Sequence, residues 1–186
     1  LANRIMFSLP GAPIIYYGDE IGMGDNIYLP DRDGVRTPMQ WDASPNAGFS
    51  DAPPDKLYAP VIDDPIYGYQ TVNVAAQEED PNSLLNRMRT LISLRKRHPA
   101  FARGDFEFLE CDNPAVLAFV RSYRDQVIVV VHNVSGETQP VDLDLSKFAG
   151  RSACDILQGE DYPVIGRERY RLDLPPYQSR WLKLEG

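Results

Sequence analysis

At 186 residues, with 43% hydrophobic side chains and both charge signs well represented, the chain is long enough to bury a sizeable core and is not a disordered polypeptide. Its net charge of −8 opposes binding to phosphate backbones, which excludes nucleic acid as a partner. No apolar run approaches the roughly 18 residues of a membrane-spanning helix, so no membrane partner is expected either.

The first nine residues place Leu1, Ile5, Met6 and Leu9 at helical spacing and stop at Pro10-Gly11, which predicts a helix ending there. No N-cap residue precedes Leu1, so the chain is expected to begin inside an element whose first part lies elsewhere. The start also lacks the basic head and cleavage site of a secretory leader, and a cytoplasmic location is expected. In that setting Cys111 and Cys154 read as two reduced, packed thiols with no chemistry assigned to them.

Next comes a short run rich in β-branched and aromatic residues, from Ala12 to Tyr17, closed by Gly18-Asp19-Glu20-Ile21-Gly22. A continuous apolar run of this length predicts a strand buried on both faces, as in parallel sheets. From about Gly22 to Pro81 no periodicity is sustained, and Pro, Gly, Asp and Asn recur. So long a connection is expected to be a site-forming excursion with short turns of helix inside it. It is acidic as well: residues 1–80 carry thirteen acids and four bases, against fourteen and fifteen in residues 81–186.

Asp80-Pro81-Asn82-Ser83 predicts a capped helix start with Pro81 at the first helical position. Leu84, Leu85, Met88, Leu91, Ile92 and Arg95 form its stripe, the cations Arg95, Lys96 and Arg97 with His98 crowd its last turn, and Pro99 closes it. A strand, loop and helix of this kind cannot bury both faces of the strand alone and imply neighbouring strands. From Gly104 the period changes to two, with strands expected at residues 106–108, 116–123, 126–132, 138–145, 151–157, 170–174 and 179–184. Arg124-Asp125 marks a tight hairpin between the second and third of these, and the set predicts an antiparallel sandwich.

Residues 31–41 gather two arginines, two carboxylates, a turn glycine and an aromatic. Asp31 and Asp33 beside Arg32 and Arg36 read as a salt-linked loop, because a neighbouring Arg favours the ionised carboxylate and disfavours acid catalysis. An Arg fork can equally hold a carboxylate that grips a sugar hydroxyl. Asp19 and Glu20, adjacent on an extended strand, would point to opposite faces and cannot flank one bond. Asp31-Arg32-Asp33-Gly34 begins like a calcium loop but lacks the third ligand position and the distal glutamate, and His98 and His132 have no partners at ligand spacing. No metal or cofactor is therefore expected. Trp41, Tyr58, Tyr67 and Tyr69 have faces on which pyranose rings can stack, with loop packing as the alternative.

The stretch from Leu9-Pro10-Gly11-Ala12-Pro13 through Tyr17-Gly18-Asp19-Glu20-Ile21-Gly22-Met23 resembles the eighth barrel strand and its exit in the α-amylase superfamily of retaining glycosidases. Arg36-Thr37-Pro38-Met39-Gln40-Trp41-Asp42 is similar to a motif of that superfamily's branch of α-glucosidases, oligo-1,6-glucosidases, sucrose isomerases and trehalose-forming isomerases. Residues 64–77, from Asp64-Pro65-Ile66-Tyr67 to Ala76-Gln77, most resemble the maltose-to-trehalose isomerases of the branch.

The resemblance implies an α+β chain: the end of a (β/α)8 barrel (last strand, long loop, last helix) in residues 1–103, then an antiparallel β-sandwich in residues 104–186. It implies maltose, trehalose and glucose as ligands of a complete barrel, whose N-terminal portion would be this chain's partner and would carry the catalytic carboxylates. No catalytic residue is assigned within the chain, which is expected to be inactive alone. The substrate-binding residues carried over are Arg32, at the family position that holds the nonreducing glucose, with Asp33 and Gln40 beside it. Arg36 and Trp41 are expected to be loop architecture. The competing expectation is a noncatalytic carbohydrate-binding or assembly module, or part of an α-glucosidase of the same superfamily.

Overall fold

The computed structural model describes all residues, 1–186, and divides into two compact units: residues 14–90, and residues 1–13 together with 91–186. No helix is long and apolar enough to cross a membrane.

In the unit formed by residues 14–90, the backbone is mostly turns. The expected strand at residues 12–17 pairs with nothing, and Ile14 is 86% exposed. A strand apolar on both faces needs neighbours on both edges to take its N–H and C=O groups, and no other strand of this chain runs beside it. The run instead enters a tight turn in which the N–H groups of Ile21 and Met23 both bond to the carbonyl of Gly18. Gly18 has φ +95°, and a Cβ there would lie 2.8 Å from the Met23 sulfur, so this turn requires glycine.

Four short helical segments follow, as the sequence predicts for the excursion. Two are single turns of 3-10 helix at Asp33–Arg36 and Pro54–Lys56; a third, Pro45–Gly48, winds left-handed through Asn46 and Ala47 (φ 55° and 60°); the fourth is the helix α2, Val74–Glu79. Asn73 caps α2, its Oδ1 accepting from the Ala76 N–H at 2.8 Å. A small core of Ile21, Met39 and Leu85, with Met23, Val72 and Val74 against it, holds these turns together.

The long helix is α3, Leu84–Arg97. It starts three residues later than Pro81 predicts, because Asp80 closes an Asx turn with the Asn82 N–H at 2.8 Å, and the Ser83 hydroxyl accepts the Asn86 N–H instead. Its buried stripe is Leu85, Met88, Leu91, Leu94 and Arg95, with Ile92 36% exposed. Pro99 closes α3 and also opens a second helix, α4, Pro99–Arg103, that the sequence reading does not contain.

The other unit holds the first helix, α1 (Ala2–Ser8), and a β-sandwich. The strands are β1 Asp105–Phe108, β2 Val116–Tyr123, β3 Gln126–Asn133, β4 Gln139–Leu143, β5 Ser152–Asp155, β6 Glu160–Tyr162, β7 Tyr170–Leu174 and β8 Ser179–Glu185. Six of them form one antiparallel sheet ordered β1-β2-β3-β8-β5-β6, and β4 pairs with β7 in a second. The predicted hairpin is present, with Tyr123 opposite Gln126 and Arg124 left-handed at φ 56°. Valines 116, 120, 127, 129 and 131 on the large sheet meet Val141, Leu143, Leu172 and Leu174 of the small one in a shared core. This is the expected α+β architecture, a sandwich following barrel-type elements.

Both faces of the central strands are apolar because both are covered. On the face away from the small sheet, Trp181 and Phe101 are fully buried with ring centroids 4.6 Å apart, which places α4 against β8. The C-terminal end of α1 is closed by two buried arginines. Arg95 donates to the carbonyls of Phe7 (2.6 Å), Leu9 (3.1 Å) and Gly11, and Arg121 to those of Ser8 (2.9 Å) and Gly104 (3.0 Å). The carbonyls at a helix C-terminus have no partners within the helix, and these guanidinium groups supply them. Burial lowers the pKa of both arginines from the ordinary value.

Candidate functional site

The motif at residues 31–41 is a wound loop. Asp31 stands in the left-handed region at φ 51°, the Asp33 N–H bonds to the Pro30 carbonyl at 3.1 Å, and the 3-10 turn Asp33–Arg36 follows. Gly34 has no room for a side chain: a Cβ would lie 2.0 Å from an Asp25 carboxylate oxygen. Its carbonyl in turn accepts the Asn26 N–H at 3.1 Å, tying the loop to the preceding turn.

The charges pair as neighbours. Arg32 Nε lies 3.6 Å from Asp31 Oδ2, and Arg36 Nη1 lies 3.5 Å from Asp33 Oδ1. All four side chains are substantially exposed, so each pair contributes at most about 1 kcal/mol. The Arg32 side chain, 68% exposed, is thus held only loosely by Asp31 and remains open to a second anionic or hydroxyl partner. Arg32 and Asp33 are brought to the same exposed turn, whereas Gln40 is placed differently.

Gln40 is fully buried, and its amide nitrogen donates to the carbonyls of Tyr67 (3.1 Å) and Val72. The backbone joins the same two stretches: the Val74 N–H bonds to the Gln40 carbonyl at 3.0 Å, and the Ala75 N–H to that of Trp41 at 2.9 Å. The 64–77 motif is itself built from caps. Asp64 Oδ1 accepts the N–H groups of Ile66 and Tyr67, Asn73 donates to the Tyr69 carbonyl, and Gln77 donates to the Ile21 carbonyl while accepting from the Leu85 N–H. Two of the three stretches that carried the family resemblance, residues 36–42 and 64–77, form one hydrogen-bonded body, and Gln77 ties it to Ile21 of the third.

Trp41 is presented by a second strained turn. Its N–H and that of Asp42 both reach the Ala47 carbonyl, at 2.9 and 3.2 Å, across Asn46 and Ala47, which have φ values of 55° and 60°. Asn46 supports this shape by donating to the carbonyls of Ser50 and Ala52. The Ser44 hydroxyl and N–H hold the Asp42 carboxyl below its ordinary pKa.

Beside this turn lies a largely apolar cavity of about 500 Å³, walled by Tyr17, Trp41 and Tyr58, with Glu20, Arg36 and Thr37 among its polar lining. Tyr17 is fixed there by donating its hydroxyl to the Thr37 carbonyl at 2.9 Å, and its pKa is raised, chiefly by burial. Of the aromatics picked out in the sequence, Trp41 and Tyr58 line the cavity, and Tyr67 and Tyr69 do not. Tyr17, Thr37 and Phe49 line it as well; the first two lie in the stretches that carry the family resemblance, though the sequence reading does not single them out individually. Tyr17 lies in an apolar run that reads as core, yet it is 41% exposed.

Asp19 and Glu20 stand in the Gly18 turn and not on a strand, and each carboxylate caps a local N–H: Asp19 that of Tyr16 at 3.0 Å, Glu20 that of Gly18 at 2.8 Å. In the other unit, His98 bonds to Gln126, and His132 is buried between the hydroxyls of Ser8 and Ser179. Cys111 and Cys154 are free thiols, both half-buried. No group of three or more His, Cys, Asp or Glu side chains is gathered as a metal site.

Comparison with known proteins matches residues 1–104 to the model of the alpha amylase catalytic domain and residues 106–181 to that of the maltogenic amylase C-terminal domain. Trehalose synthase of Pimelobacter sp. is 50% identical over 99% of this chain, a match that covers 33% of that protein. The chain therefore spans about a third of the length of this and a second curated relative it matches. Among solved structures, trehalose-6-phosphate hydrolase of Bacillus licheniformis superposes with a TM-score of 0.79 at 25% identity, over all of this chain and 38% of that one. A variant isomaltulose synthase of Erwinia rhapontici, solved in complex with D-glucose, gives 0.75 at 26% identity, over all of this chain and 37% of that one.

Proposed function

The chain belongs to the α-amylase family, and from that premise we propose that it is the C-terminal part of a retaining glucosyl-transferring isomerase that interconverts maltose and trehalose. The observation that carries the reading is the 50% identity to a trehalose synthase along 99% of the chain, through barrel-type elements and sandwich alike. Residues 1–103 close the catalytic barrel, and residues 104–186 are the sandwich appended to it.

Retaining transfer needs one carboxylate as nucleophile and another as acid/base about 5–5.5 Å away. Asp31 and Asp33 are paired with arginines and Asp19 and Glu20 cap local N–H groups, and the family resemblance places the catalytic carboxylates earlier in the barrel, so we assign both catalytic roles to the remainder of the enzyme. Arg32 grips the nonreducing glucose from the rim of the site, with Asp33 beside it on the same turn. Gln40 contributes by fastening the loop that presents them. An isomerase must also keep the freed glucose until a different hydroxyl attacks, which requires a site closed to water. The loop of residues 22–81 is one wall of that enclosure. The two unpaired cysteines are consistent with a cytoplasmic enzyme.

The test is an assay of the enzyme containing this chain and the remaining two thirds, supplied with maltose. Trehalose as the main product is expected. Glucose alone would assign a hydrolase and overturn the isomerase reading. The 186-residue chain by itself is expected to release neither, and any turnover by it would overturn the assignment of the carboxylates elsewhere.

A further inference from the structure

We infer that Arg121 and His132, on the sandwich strands β2 and β3, are positioning residues for the reaction: by gripping Ser8 they fix the point from which residues 12–17 run on to the loop of residues 22–81. The inference rests on the reading of a maltose-to-trehalose isomerase and gives the appended sandwich a part in keeping its site closed.

Ser8, the last residue of α1, is fully buried and bonded on both its carbonyl and its hydroxyl. The carbonyl accepts from Arg121 Nη1 at 2.9 Å, and the hydroxyl lies 2.9 Å from the Ile5 carbonyl and 3.1 Å from His132 Nε2. A hydroxyl has one proton to give, and the Ile5 carbonyl can only accept, so the Ser8 oxygen receives the Nε2–H of His132. Burial keeps the imidazole neutral, which leaves Nδ1 an acceptor for the Ser179 hydroxyl at 2.7 Å. The bonds therefore run in one direction, from Ser179 through His132 and Ser8 to Ile5. One tautomer and one setting of each hydroxyl satisfy three fully buried side chains.

The carbonyls on either side are gripped as well. Arg95 takes those of Phe7, Leu9 and Gly11, so guanidinium groups bind the carbonyls of residues 7, 8, 9 and 11. A helix end is ordinarily completed by a glycine turn or by solvent. Here two buried cations complete it, each matched by carbonyls and not by a carboxylate, and burying a cation without a counter-charge is costly. What the arrangement supplies is geometry: planar forks on several carbonyls hold the position and direction of the backbone, which solvent does not.

The run of residues 12–17 begins directly after Gly11, and at its end the Tyr17 hydroxyl donates to the Thr37 carbonyl at 2.9 Å. Neighbouring strands of a complete barrel would take the edges of that run; the clamp fixes where it starts. When a clamp bond is lost, residues 8–11 shift and the backbone carries the shift along the run. A displacement of about 1 Å is enough to slow a positioned reaction on the order of a hundred-fold. In an isomerase enclosure suffers too, because water that reaches the glucosyl group before the freed glucose re-attacks gives two glucose molecules in place of trehalose.

The test is the trehalose-to-glucose product ratio of the longer enzyme supplied with maltose, at a temperature where circular dichroism finds each variant folded. That ratio is independent of how much enzyme is folded, so a role in stability alone leaves it unchanged. His132→Leu, which removes the donor, and Ser8→Ala, which removes only the hydroxyl, are each expected to lower it roughly five-fold or more. Arg121→Met, which strands the Ser8 carbonyl, is expected to act in the same direction. His132→Gln, whose amide N–H can replace the Nε2 donor, is expected to recover most of the ratio. An unchanged ratio in His132→Leu and Ser8→Ala overturns the inference, as does an equal loss in His132→Gln and His132→Leu. Release of glucose alone by the original enzyme overturns the proposed function instead. The clamp is then decided by kcat per folded enzyme: a fall in Ser8→Ala at unchanged KM supports it, and an unchanged kcat overturns it.

Discussion

The side-chain amide of Gln40 donates to the carbonyl of Tyr67 at 3.1 Å, closing two sequence motifs onto each other across 27 positions. Because Gln40 is fully buried, replacing it strands the carbonyls of Tyr67 and Val72 without partners or water. Gln40→Leu, close in volume but without the amide, is expected to destabilise this unit by about 1–3 kcal/mol. Denaturant unfolding followed at Trp41 measures it; an unchanged midpoint would show that the amide does not fasten the loop.

The two arginines at the end of α1 make a parallel prediction for the other unit. Arg95→Met preserves the packed stem and removes the donors to Phe7, Leu9 and Gly11, which is expected to cost about 2–4 kcal/mol, in line with charge-assisted bonds to carbonyls that are then left unpaired. Hydrogen exchange at α1 is expected to rise first, since its C-terminal carbonyls lose their partner. Arg95→Lys should recover only part, because one ammonium group cannot span three carbonyls set by a planar fork.

His132 makes stability depend on pH. It is fully buried, with Nε2 3.1 Å from the Ser8 hydroxyl and Nδ1 2.7 Å from that of Ser179. Burial first, then the charge of Arg4, lowers its pKa from 6.5 to about 3. The folded state keeps the ring neutral while the unfolded chain takes up a proton below 6.5, so this stability is intact above pH 6.5 and is lost as pH falls towards 3. The loss is on the order of 2 kcal/mol by pH 5. His98, whose pKa is also lowered, chiefly by burial, adds a slope of the same sign. The difference between the original chain and His132→Gln in melting temperature against pH isolates the His132 share, and parallel curves would refute it.

Arg32 is expected to act on sugar binding. In the longer enzyme, Arg32→Ala should lower kcat/KM for maltose by ten-fold or more, on the order of 1.4–3 kcal/mol for a charge-assisted contact. Loss of its exposed pair with Asp31, 3.6 Å away, should shift the melting temperature by less than a degree or two. A large fall in stability with kcat/KM intact would make Arg32 a loop-stabilising residue and no more.

The periodic parts of the fold were legible in the residues. Valine-rich alternation in β2 and β3 and the two-residue turn at Arg124 depend on spacing within a few positions and formed where the spacing places them, whereas the stripe of α3 kept Leu85, Met88, Leu91 and Arg95 but buried Leu94 in place of Ile92. The start of α3 moved because Asp80 takes the Asn82 N–H into an Asx turn and leaves Ser83 to accept the Asn86 N–H, a choice of capping residue that propensity alone does not decide.

By itself the sequence determined a buried-core sandwich, an irregular acidic excursion rich in Asp, Asn, Pro and Gly, and, through its motifs, the family. Only the tertiary structure decided that residues 12–17 are left without ladder partners, that Gln40 is a buried fastener, and that Tyr17 and Thr37 share a cavity with Trp41. The physical reason is range: side-chain periodicity reports which face of an element meets a core, whereas burial of a polar group and the walls of a cavity depend on segments tens of residues apart closing on each other.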